Sequence, residues 1–106
     1  MNEKLTEEQR EILNRCLWDY DFTPEEFYNV LMGSVTFDWP TQAWAVARLI
    51  DSVNWYDIKK VISPKELCAR WTPEARRLVR GTWAKEGMDF ACEFLHIRKY
   101  NLSTAK

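Results

Sequence analysis

The sequence predicts an all-α fold: a compact bundle of about six short helices forming a single domain. Three observations predict it. Helix-start signals built on a hydroxyl residue recur at Thr6, Thr23-Pro24, Ser63-Pro64 and Thr72-Pro73. The segments that follow them carry apolar residues at three- and four-residue spacing. The stretch with the weakest helical pattern, 34–40, is short and holds two β-branched residues, too little to argue a sheet.

The 106 residues suffice for one core, since a chain of this size buries roughly 60–70% of its unfolded surface. A content of 46% hydrophobic and 29% charged residues is that of a globular chain rather than a disordered one. Six tryptophans among the aromatics can anchor short helices, because each large ring buries on the order of 150–250 Å².

The first predicted helix starts at the capping box of Thr6 and Gln9 and runs to about Trp18, with Leu13, Cys16, Leu17 and Tyr20 as its inner stripe. After the link 18–22, Thr23, Pro24 and Glu26 open a second helix that buries Phe27, Val30 and Leu31 and ends at Gly33. A third follows Pro40 or Thr41 to about Val53, turning Ala43 or Trp44, Ala47, Ile50 and Val53 inward. Asn54 caps a fourth, with Trp55, Ile58, Val61 and Ile62 inward, and Ser63 with Glu66 opens a fifth, burying Leu67, Cys68 and Trp71. From Pro73 onward the pattern breaks near Gly81, giving the stripe Ala75, Leu78 and Val79 and then the stripe Trp83, Phe90, Phe94 and Ile97 with Ala91 and Leu95 beside it. Residues 1–5 and 101–106 are expected to be loose ends. The start signals fall at unequal intervals, so the chain is not a repeat array.

Charge reverses inside the stretch 48–71: residues 1–58 carry eleven acids and four bases, net −7, and residues 59–106 five acids and eleven bases, net +6, which add to −1. This split permits head-to-tail association of copies of the chain. It also concentrates Arg70, Arg76, Arg77 and Arg80, with Lys85, in one segment, where Arg76 and Arg80 share a helix face. Such a group can bind phosphates, a nucleic acid included, or an acidic protein, or pair with the acidic half of its own chain. Trp39, which no helical stripe claims, is a candidate partner anchor if exposed.

No catalytic set is evident, and no metal or cofactor is expected. His96 is the one histidine. Asp19 and Asp21, two apart, could share a magnesium ion with a phosphate, but short acids at a helix junction more often cap amides. Asp51 and Asp57 read as structural in the same way. Cys16, Cys68 and Cys92 are odd in number and lack CxxC spacing, so the expectation is reduced, buried thiols. No apolar run approaches the roughly 18 residues that span a bilayer, and the opening MNEKLTEEQRE is too acidic and polar for a signal peptide, which predicts a cytoplasmic protein.

The segments LWDYDFTPEEF (17–27) and ARLIDSVNWYDIKKVISPKEL (47–67) resemble a family of small uncharacterised bacterial helical proteins. The likeness lies in an aromatic-Asp-Tyr-Asp junction before a capped helix, then an Arg-Leu-hydrophobic-acid helix leading into Trp-Tyr. Members are often encoded beside nucleotidyltransferases of the abortive-infection toxin type. The resemblance therefore implies an antitoxin-like or accessory role with such a protein as partner, and transfers no functional residue. The sequence reading is a non-catalytic protein-interaction module, with nucleic-acid binding through the basic half as the alternative.

Overall fold

Local hydrogen bonding divides the chain. The computed structural model describes residues 5–17 and 21–104, with side chains as far as residue 95. Among the described residues there are seven helices and no strand: α1 (Glu7–Arg15), α2 (Pro24–Met32), α3 (Gln42–Ser52), α4 (Trp55–Val61), α5 (Pro64–Ala69), α6 (Pro73–Leu78) and α7 (Thr82–Thr104). The side chains of Thr6, Thr23, Thr41, Asn54, Ser63 and Thr72 each accept a backbone N–H three residues on. Full capping boxes form at Thr6/Gln9 and Thr23/Glu26. At Ser63 only the hydroxyl half is made.

The α-helices sort around α3. It packs against α2, α4 and α6, α1 packs against α2 and α4, and α5 against α7. Ala45, Val46, Ala47, Leu49 and Ile50 are all buried, so α3 is covered on most of its circumference, more than a single stripe would require. Ile12, Leu13, Phe27, Leu31, Leu67 and Val79 complete one continuous core with it. Polar bonds close the seam between α1 and α4: Gln9 Nε2 donates to the Lys60 carbonyl at 2.8 Å, Lys60 pairs with Glu8 at 2.8 Å, and Arg15 with Asp57 at 2.8 Å.

Three expectations change. The first helix ends at Arg15, short of Trp18, and α7 continues through residues 101–104, which had read as a tail. The segment after Pro73 breaks near Gly81 as expected, and the seven helices among the described residues form the expected small all-α bundle. Cys68 and Cys92 are joined as a disulfide with Cα atoms 5.4 Å apart, contrary to the expectation of reduced thiols. Spacing hid this pair because its halves lie on different helices, 24 residues apart, and meet only when α7 lies along α5. Cys16 stays free and buried, and burial pushes its thiol up to about 12.

A link across this separation restricts the unfolded chain. Reduction, or Cys68→Ser with Cys92→Ser, is expected to cost about 3 kcal/mol of stability, read as a lower urea midpoint with dithiothreitol than without.

Candidate protein-interaction surface

The residues singled out for binding are scattered by the fold. Arg70 braces backbone: Nη1 donates to the Glu66 carbonyl at 2.9 Å and Nη2 to the Met32 carbonyl at 3.2 Å. Arg76 pairs with Asp89 at 2.8 Å and Arg77 with Glu74 at 2.6 Å. Arg80 lies on the rim of a cleft of about 510 Å³ that Trp44, Arg48, Asp51 and Ser52 also line, and Lys85 is half-buried. Three of the four arginines thus serve partners inside the molecule, and no single cationic face gathers them.

The acids have structural work too. Asp51, on α3, accepts the backbone N–H of Arg80 at 3.0 Å and of Gly81 at 3.4 Å, satisfying donors in the turn between α6 and α7. Asp89 accepts from Trp71 Nε1 at 2.9 Å as well as from Arg76, and these two bonds hold its carboxyl below the usual carboxylate range. Asp19 and Tyr20 lie outside the described residues, as do the side chains of His96 and Ile97. Among the described residues no three His, Cys, Asp or Glu come together in a way that could hold a metal ion. None of the helices, over the described residues, is long and apolar enough to cross a membrane.

Trp39 is exposed, at 54%, and Phe37 beside it at 52%. Their loop has a firm base. Gly33 ends α2 at φ 83°, a left-handed turn that a side chain would strain, and Ser34 N–H closes back on the Asn29 carbonyl at 2.9 Å. Gln42 Nε2 then ties the start of α3 to the Leu31 carbonyl at 2.9 Å. The Trp39 ring rests on Trp44 with centroids 5.2 Å apart and on Phe22 at 6.0 Å, and Trp44 in turn meets the buried Phe27. Asp21, Glu26 and Asp38 are exposed around this cluster.

A second apolar surface lies along α7. The stripe Trp83, Phe90 and Phe94 is present at the expected spacing but faces outward, with exposures of 88%, 70% and 52%. Trp55, expected in the core, opens at 39% onto the same surface. The inner side of α7 is instead Ala84, Met88 and Ala91, against Ile50 and Ile58, where a shallow apolar cavity of about 280 Å³ remains. Gly87 lies between the two sides, at the rim of that cavity, and a Cβ there would meet nothing within 4 Å. A glycine inside a helix costs about 1 kcal/mol relative to alanine, and no contact within the molecule requires one here.

Set against protein-family models, curated proteins and solved structures, the chain matches none of them.

Asp89 makes the docking of α7 sensitive to acid. Its folded pKa lies below the unfolded value of roughly 3.9, so its contribution is complete above that value and is lost as pH falls through the folded pKa. Asp89→Asn should therefore lower the denaturation midpoint at pH 7 and differ much less from the parent near pH 2, in urea titrations across that range.

Proposed function

We propose that this protein is a non-catalytic interaction module that grips another protein through the 35–39 loop, with Trp39 and Phe37 as anchors. One observation carries the reading: two large aromatic side chains stand exposed on a base fixed by the Trp44, Phe22 and Phe27 rings. Rigid aromatics lose little conformational entropy on binding, which is why such residues dominate the energetics of protein interfaces. Asp21, Glu26 and Asp38 around them favour a socket rimmed by basic residues. A nucleotide-handling enzyme offers basic surface of that kind, and the resemblance of 17–27 and 47–67 to proteins encoded beside nucleotidyltransferases supports such a partner in an antitoxin-like or accessory role. Nucleic acid as the partner has less support, because Arg70, Arg76 and Arg77 are engaged internally. The setting we propose is cytoplasmic, where the Cys68–Cys92 pair would stand as thiols unless an oxidant closes it.

The test is affinity capture from host lysate, with and without nuclease, comparing the parent with Phe37→Ala/Trp39→Ala. A stoichiometric protein should survive nuclease and be held roughly a hundredfold more weakly by the double variant, whose urea midpoint stays near that of the parent. Recovery of nucleic acid alone, reduced by Arg80→Glu rather than by the loop variant, would replace this reading with the basic-half alternative.

A further inference from the structure

We infer that the exposed face of α7 is the seat of a second copy of this chain, forming a parallel two-fold dimer about the stripe of Trp83, Phe90 and Phe94. At 3.6 residues per turn, Trp83, Gly87, Phe90 and Phe94 fall within an arc of about 60° on α7, with Gly87 at its cavity edge. With Trp55 at its edge, the face exposes on the order of 500 Å² of aromatic surface, using roughly 150–250 Å² per ring. Two such faces together bury about 1,000 Å², the lower bound of a specific interface. A patch of this size is in the range of the largest on a monomer, where such patches often mark interaction sites.

The occupant follows from what flanks the stripe. On one side Ala91 and Leu95 border a groove against α4, which Lys59 also lines at the level of Phe90 and Phe94. On the other side, by the same helical spacing, stand Glu86 and Glu93, both exposed. A two-fold axis parallel to α7 brings the basic edge of each copy against the acidic edge of the other, placing Lys59 opposite Glu93 at matching height. An antiparallel pairing would set Glu86 and Glu93 of one copy against the same residues of the other, which like charge opposes. In the parallel register Gly87, at the cavity edge of the stripe, lies across from the Phe90 edge of the other copy, and the missing side chain leaves room for that ring. The same residue is otherwise a cost without a contact to explain it. Because the contact is isologous it closes at two copies, whereas head-to-tail joining of the charged halves would leave an open chain.

Sedimentation velocity of the full chain over a hundredfold concentration range tests this. The parent should approach twice 12.7 kDa as concentration rises. Phe90→Glu should weaken association by roughly a hundredfold or more. Gly87→Glu keeps a separate check on folding: it fills open space in the monomer and should raise its thermal midpoint while abolishing the dimer. Lys59→Glu should weaken the dimer about tenfold and Glu93→Lys in the same chain should restore it. A parent that stays at 12.7 kDa at every concentration overturns the proposal, as does a dimer that tolerates both Phe90→Glu and Gly87→Glu. If a monomeric parent binds the partner of the 35–39 loop through Phe90, the face belongs to that partner and self-pairing is wrong. Dimers indifferent to the Lys59 and Glu93 exchange would overturn the parallel register.

Discussion

The burial of α3 is the constraint on which the remaining structure depends. An eleven-residue helix with Ala45, Val46, Ala47, Leu49 and Ile50 all inside must be enclosed by other elements, and α2, α4 and α6 do so. Alanines at 45 and 47 let these neighbours approach closely. Once they are placed, the short connections leave little choice for the others: α1 closes over α2 and α4, and α5 follows α4 after two residues. Arg48, on the same helix, donates from Nε to the Cys16 carbonyl at 2.7 Å, so α3 also satisfies backbone where α1 ends.

The last helix is attached on different terms. Among its described side chains Met88 alone is in the buried core, with Ala84 and Cys92 packed against it, and discrete links add to its hold. Asp51 receives the amides of Arg80 and Gly81 just before it, Asp89 joins it to Trp71 and Arg76, and Cys92 joins it to Cys68. The last two engage the flank of α7 that faces α5 and α6. The outer side carries the exposed aromatics, and this division lets a helix be fixed to the bundle and still present an apolar stripe.

The basic half shows how composition and surface can part company. Its positive charge is real in the sequence, but Arg76 and Arg77 are answered by acids of the same half and Arg70 by carbonyls. Exposed pairs of this sort contribute little stability in water, on the order of 0–1 kcal/mol each. Their larger effect is to withdraw arginines from a shared face. The 35–39 loop, with fewer charges and no helical pattern, exposes Phe37 and Trp39 on a better-defined base.

The sequence by itself determined the helices and their starts, because a capping hydroxyl and the amide it serves are three residues apart and need nothing distant. It also determined the break near Gly81, the turn at Gly33 and most of the core stripes of α1 and α2. Tertiary structure alone decided which side of α7 faces inward. Ala84, Met88, Ala91 and Leu95 form a stripe as apolar as Trp83, Phe90 and Phe94, so periodicity marks two candidate faces and only the shape of the α3–α4 surface selects the smaller residues. The same holds for Trp55 and for the pairing of Cys68 with Cys92. Each depends on groups brought together from distant parts of the chain, and local spacing carries no information about that approach.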